Sequence, residues 1–332
     1  MRNTWQREPT AVAGGRPLLE ELVRCATLAP SSHNTQCWRF SLQDQSISIL
    51  PDLSRRCPAV DPDDHHLFVS LGCAAENLSQ AALAHGLHAD LRFDETKGDA
   101  LQLRLEPTKA ISSDLYTAMF DRQCTRADFD GQQLAVDELK MLERAGTGTG
   151  VKLLILTDLK ATEKMLEYVV DANTRQINDP AFVAELRHWI RFGDTEAIQS
   201  GDGLFSGASG SPAVPRWLGE MLFSRFFTAA HENDKYASQV RSSAGIAVFA
   251  SAKNDKAHWI EAGRCYERFA LQATALGIRN AMLNQPVEVA QVRRDLARGL
   301  GLGDRRPDLI VRFGRGPEMP RSLRRPIAAV LA

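Results

Sequence analysis

Nowhere in this chain does an apolar run approach the roughly eighteen residues that a membrane-crossing helix needs. The first residues, MRNTWQREPTAVAGGRPLLEEL, lack the apolar core of a signal peptide, so the expected location is the cytoplasm and no membrane partner is expected. Charge of neither sign is in surplus: 40 Lys and Arg face 41 Asp and Glu, a net charge of -1. That balance excludes a general polyanion binder, which needs basic excess to displace counterions, and no nucleic-acid partner is expected. Cys25, Cys37, Cys57, Cys73, Cys124 and Cys265 form no CxxC pair, and in a long chain without an export signal they read as reduced thiols. His65 with His66, and His85 with His88, lack the helical pair plus carboxylate of a metal site and read as surface or helix-end residues. There is no GxSxG elbow. GTGTG at 146–150 leads into a strand instead of following one, and GDGLFSG at 201–207 has the wrong spacing, so neither a Rossmann domain nor a P-loop is expected. Aromatics are scarce at 7%, but the apolar share is 44% and the length of 332 residues suits roughly two domains.

What is present is a repeat. GCAAENLSQAALAHG from Gly72 to Gly86 and GRCYERFALQATALG from Gly263 to Gly277 share bounding glycines, a glutamate and an apolar run at a constant offset of 191. The register extends outward, with Asp64 on Asp255, Val69 on Ile260 and Glu76 on Glu267. EELVRCATLA before WRFSL parallels DELKMLERAG before VKLLIL, which makes chance likeness between two Ala-rich helices the weaker explanation. A fused dimer within one chain is expected.

Apolar spacing predicts a helix over LLEELVRCATLA that stops at Pro30, a hairpin over WRFSLQDQSISIL turning at Gln43 to Gln45, and a long helix opening at Asp61 and Pro62 and closing at Gly86. ADLRF and LQLRLEP read as strands. The second half repeats the order: a helix from Val136, the strand VKLLILTD, a helix over ATEKMLEYVVDANTRQ, the strand GIAVFASA, a long helix from His258 and the strand DLIVRFG. Few βαβ units and several hairpin pairs point to an α+β fold with two sheets around long central helices. The segment 192–217, rich in Gly, Ser and Pro, has no counterpart in the first half and is either a lid or a disordered loop; Leu204, Phe205 and Trp217 would anchor a lid.

Three stretches carry candidate chemistry. APSSHNTQCWRF, Ala29 to Phe40, sets Ser31, Ser32, His33, Asn34 and Gln36 on a turn after a proline-stopped helix, suited to the carbonyl and imide edges of a flat ring and equally to an ordinary polar turn. RQCTR places Arg122 and Arg126 four apart, able to converge on one phosphate or to remain solvated. Arg312, Arg315, Arg321, Arg324 and Arg325 form a C-terminal cluster with interleaved Gly and Pro, a candidate phosphate clamp without aromatic stacking partners.

APSSHNTQCWRF resembles the P-S-x-x-N-x-Q-P-W loop of the nitroreductase superfamily, with Cys37 for the usual proline. RQCTR resembles its R-x-S-x-[RK] phosphate motif, with Cys124 for serine, and ERFALQATALGIRNAMLNQP resembles its long helix and flavin-edge loop. More narrowly, DPDDHHLFVSLGCAAENL, RQCTRADFDGQQL, the DGL insert and LRRPIAAVL are similar to the Acg-type branch, in which two nitroreductase-like halves are fused into a pseudo-dimer. The similarity spans Leu18 to Leu331. It implies a first half at 1–120, a second at 121–332 with a lid near 192–217, and FMN between them. Pro30, Ser31, Ser32 and Asn34 would face the ring; Arg122, Cys124, Arg126, Arg324 and Arg325 would hold the phosphate; Leu283, Asn284 and Gln285 would lie near N5. Lys235 and Arg241 are neighbourhood candidates for N1 and O2. No side chain is implied as catalytic, since the flavin carries the chemistry. GGRP and GTGTG stand where a mirror site would need its motifs, so one FMN per chain is implied. The resemblance implies either an NAD(P)H oxidoreductase passing electrons to a small nitro or quinone-type acceptor, or an FMN storage protein closed by its lid. The chain would be a monomeric pseudo-dimer or a homodimer.

Overall fold

Helix α1 (Arg16–Thr27) begins with Pro17 in its first turn, where a missing amide costs nothing, and ends before Pro30 can disturb it. The structure, a computed structural model, describes residues 4–6 and 14–332. Residues 1–3 and 7–13 of the N-terminal stretch read for export lie outside the described residues. β1 (Trp38–Gln43) and β2 (Ser46–Pro51) form the expected hairpin, Gln43 opposite Ser46. α2 (His65–Ala84), β3 (Leu87–Asp94) and β4 (Ala100–Pro107) follow, giving an antiparallel sheet ordered β1-β2-β4-β3. α2 starts later than expected. Asp64 has φ 58, outside the helix, and Asp61 caps from upstream, its carboxylate accepting from the His66 and Leu67 amides at 3.0 Å each.

After α3 (Asp114–Ala118) come α4 (Val136–Ala145), β5 (Val151–Leu156), α5 (Leu159–Ile177), α6 (Pro180–Trp189), β6 (Ile190–Arg191), α7 (Asp194–Ser200), β7 (Leu204–Phe205), α8 (Arg216–Phe226) and α9 (Ala229–Arg241). β8 (Gly245–Ser251), α10 (Lys256–Ala275), β9 (Arg279–Met282), α11 (Gln285–Glu288), α12 (Ala290–Gly299) and β10 (Arg306–Gly314) complete the chain's regular elements. The second sheet is ordered β5-β8-β10-β9, again antiparallel. Both sheets therefore place their first, second, fourth and third strands side by side, and the fold is α+β.

α2 and α10 pack against each other with reciprocal close contacts. A Cβ on Gly72 would fall on the Ile260 carbonyl oxygen, and one on Gly263 on that of Val69. At these two positions only glycine lets the backbones meet, and the contacting pairs are related by the same offset of 191. One apolar cluster runs from Leu22 and Trp38 through Leu71 and Ala262 to Phe313, so both sheets share a core, while a second lies beneath α5 and α9.

The 192–217 segment is ordered and docked. It holds α7 and β7, β7 pairs in parallel with β6, and Asp202 forms ion pairs with Arg55 and Arg191. Its expected anchors behave differently: Leu204 and Phe205 are half-buried, but Trp217 is 70% exposed. The C-terminal tail returns to the first sheet, where the Phe40 amide donates to Val330 O at 2.8 Å and the Ala332 amide to Phe40 O at 2.8 Å.

Candidate functional site

A cavity of about 650 Å³ opens between the turn after α1, the segment after α3, the loop between β9 and α11, and a roof from α6, α8 and the 204–214 stretch. That volume suits a cofactor or drug-sized ligand. The turn is strained: His33, Asn34 and Gln36 have φ of 48, 52 and 52, which non-glycine residues adopt only when surroundings hold them there. The holding contacts are visible. The Asn34 side-chain amide donates to Gly203 O at 3.0 Å and Leu323 O at 3.2 Å, and Gln36 Nε2 donates to Gly201 O at 2.8 Å. Gln36 Oε1 accepts from the Arg325 amide at 2.8 Å. Turn, insert and tail are thus fastened together at one wall.

Of the residues expected at the site, Pro30, Ser31, Ser32, Asn34, Arg122, Cys124, Arg126, Asn284, Gln285 and Arg324 line the cavity. Leu283 does not: its side chain is buried beneath the second sheet and its amide is spent on Ile310 O at 2.8 Å. Arg325 does not either, since it reaches Gln36 O and Ala329 O. Arg324 lines the cavity with its donors spent. Nε binds Thr27 O at 2.6 Å, Nη2 binds Leu28 O and Ala29 O, and Nη1 binds Asn34 Oδ1, so it satisfies the orphan carbonyls at the end of α1. Burial and neighbouring Arg122 pull its pKa down to about 9. Arg312 is likewise a staple, donating to Thr125 O and Ala127 O, and Arg315 and Arg321 reach the Leu276 and Phe120 carbonyls. The expected clamp is in this respect a set of backbone braces.

Arg122 is 2% exposed and pairs with Glu267, Nε to Oε1 at 3.2 Å, while Nη2 donates to Leu28 O at 2.9 Å. Burial pushes the Glu267 carboxyl upward against the pull of Arg122. Arg122 Nη1 has no hydrogen-bond partner. Arg126 has one bond from Nη1, to Ser209 Oγ at 3.0 Å, and is the least committed guanidinium of the motif. Lys235 lines the cavity, whereas Arg241 points away and pairs with Glu163 at 2.8 Å.

Residues not expected here also face the cavity. His66 is 5% exposed, so it is no surface histidine; its Nε2 is unpartnered and lies 3.6 Å from Glu288 Oε1. Burial lowers the His66 pKa and raises that of Glu288, which brings the two together. Tyr236 joins them, its phenol pushed up by burial to about 12. The roof presents Phe182, Phe192, Leu222, Phe223, Phe226 and Phe227. Apolar spacing on α6 and α8 could have signalled this face, but no sequence pattern pairs His66 with Glu288. All six cysteines are unpaired.

No family model matches the chain. It is 24% identical to "Putative NAD(P)H nitroreductase acg" of Mycobacterium tuberculosis strain H37Rv over 94% of this chain and 95% of that protein. It is 24% identical to "Putative NAD(P)H nitroreductase Rv3131" of the same strain over 93% and 90%. The chain is a relative of the Acg-type nitroreductases. Among solved structures, the FMN-dependent nitroreductase NfnB of Mycobacterium smegmatis in complex with NADPH is 12% identical, with TM-score 0.40, over 63% of this chain and 93% of that one. No helix among the described residues is long and apolar enough to cross a membrane.

Proposed function

We propose that the chain binds one FMN in this cavity and acts as an NAD(P)H-dependent oxidoreductase toward a nitro or quinone-type acceptor. The observation that carries this reading is convergence: the Pro30–Asn34 turn, the Arg122–Arg126 segment and the Asn284–Gln285 loop, far apart in sequence, wall one cavity. Polar atoms on that wall lack partners, namely His33 Nδ1, His66 Nε2, Arg122 Nη1 and Gln285 Oε1, as expected where a polar-edged ligand belongs. The residues present therefore fit the group. The end-to-end likeness to relatives named NAD(P)H nitroreductases supports the same reading.

Arg126 and the free Nη1 of Arg122 would hold the phosphate by charge-assisted bonds. Arg324 and Asn34 act behind them, fixing the turn. Ser31, Ser32, Asn284 and Gln285 would meet the ring's polar edges, and the phenylalanine roof would exclude water. Bound FMN supplies a ring that takes up two electrons from a reduced nicotinamide and gives them to the acceptor.

On this reading the chain is a fused pair of nitroreductase-like halves, 1–120 and 121–332, related by a pseudo-twofold axis near Gly72 and Gly263. Matching strand orders and the reciprocal glycine contacts support it. A second reading, FMN storage with little turnover, is favoured by the docking of Gly201 and Gly203 onto Gln36 and Asn34, which closes the insert over one wall.

Flavin fluorescence quenching tests the assignment. Arg126→Ala is expected to weaken FMN by about 2 kcal/mol, some thirtyfold, and to leave riboflavin binding unchanged. Equal FMN affinity in variant and wild type would refute it.

A further inference from the structure

A second concavity of about 570 Å³ lies between α12, the loop before β10 and the loop after β8, and shares no lining residue with the first. Five of its side chains are arginines, Arg293, Arg294, Arg298, Arg305 and Arg306, and no carboxylate lines it. Nearby acids neutralise only part of this charge: Arg298 pairs with Asp295, and Arg306 with Asp63 at 3.0 Å. The hydrogen bonds of the other three go to neutral acceptors. Arg293 donates to Val287 O at 2.7 Å, Arg294 to Gln291 Oε1 at 2.5 Å and Arg305 to Gly150 O at 3.2 Å.

One guanidinium is built in. Arg306 is 8% exposed, lies over the Trp259 ring at 5.3 Å, and its Nε has no hydrogen-bond partner, with Asp308 Oδ1 at 3.8 Å. A buried donor without a hydrogen bond, beside other guanidinium groups, suits an oxyanion, which such planar forks grip bidentately. Burial, and after it the charge of Arg306, also pull the Arg293 pKa below its ordinary value against the opposing charge of Asp63.

We propose that this concavity binds the phosphate of a small phosphorylated molecule through Arg293, Arg294 and Arg306. Its volume leaves room for more than one phosphate group.

Calorimetric titration with inorganic pyrophosphate tests this, with sulfate at matched ionic strength as the control and ADP as a second arm. The wild-type protein is expected to bind pyrophosphate saturably. Arg293→Gln with Arg294→Gln, both off the apolar core, should raise the Kd at least tenfold without lowering the Tm of the ligand-free protein. Arg126→Ala in the first cavity should leave that Kd unchanged, so this outcome is separate from FMN binding. ADP binding that is lost in the double variant supports the site and adds a nucleoside to its ligand. Absence of saturable binding, binding that survives the double variant, loss on Arg126→Ala, or an equal response to sulfate would each overturn the proposal.

Discussion

Where α2 carries Ser70, Cys73 and Asn77, the matching register of α10 carries Glu261, Arg264 and Arg268, and the two ends of the helix pair differ accordingly. Ser70 and Cys73 are small and line the cavity. At the other end Arg264 and Arg268 both reach Glu76, at 3.2 and 2.9 Å, and both pair with Glu261, at 3.0 and 3.4 Å. Arg268 Nε also holds the last carbonyl of α4, Ala145 O, as Arg324 holds those of α1. Gly148 lies so close that a Cβ would collide with Cys265 Sγ and Glu261. One end of the helix pair is thus hollow, and the other is filled with paired charge.

The strongest way to break this comparison is at the buried acids. Glu76 is 2% exposed, and Glu76→Ala should cost ~3–5 kcal/mol in urea unfolding by stranding two arginines, with FMN affinity unchanged. A parallel loss of FMN affinity would show that the filled end contributes to the binding site. Next come the axial glycines: Gly72→Ala and Gly263→Ala should each destabilise by about 1–3 kcal/mol and by similar amounts, since their contacts are reciprocal. A cost at only one of them would deny the symmetry. Opening the roof with Phe223→Ala and Phe226→Ala should speed NADPH consumption by the FMN-loaded protein roughly tenfold, ~1.4 kcal/mol in the barrier. No change would show that the roof does not limit access.

The smallest expected effect is with pH. Burial pushes the carboxyls of Asp61 and Asp308 up to about 7, so the folded state takes up protons that the unfolded chain does not, and stability falls as pH rises through 7. Lowering pH from 8 to about 6.5 should raise the unfolding free energy by on the order of 1 kcal/mol. Below that the gain is opposed by His33, held down to about 4 by burial: as pH falls from about 6.5 towards 4 the unfolded chain binds a proton there that the fold does not. Asp308→Asn should flatten the profile above pH 6.5; an unaltered slope would remove Asp308 from it.

The helices and strands were legible because their apolar spacing is local: α2 and α10 match residue for residue, and the hairpin at Gln43 falls where its alternation breaks. Pro30, Ser31 and Arg126 stand in motifs that the sequence shows, and they line the cavity. The tail arginines were not, because sequence shows a cluster of charge but not the carbonyls at the end of α1 that Arg324 satisfies. His66 and Glu288 meet only through tertiary packing. The Gly and Ser content of the insert leaves a docked lid and a disordered loop both open, and it is Asp202, between Arg55 and Arg191, that holds it in place.

The central claim is that only one end of the α2–α10 pair is a site. Titrating the flavin-free protein with FMN and following quenching to saturation tests it most directly. One equivalent per chain, bound about thirtyfold more weakly in Arg126→Ala and with unchanged affinity in Arg268→Ala, is the expected result; two equivalents, or an affinity that falls with Arg268→Ala, would contradict it.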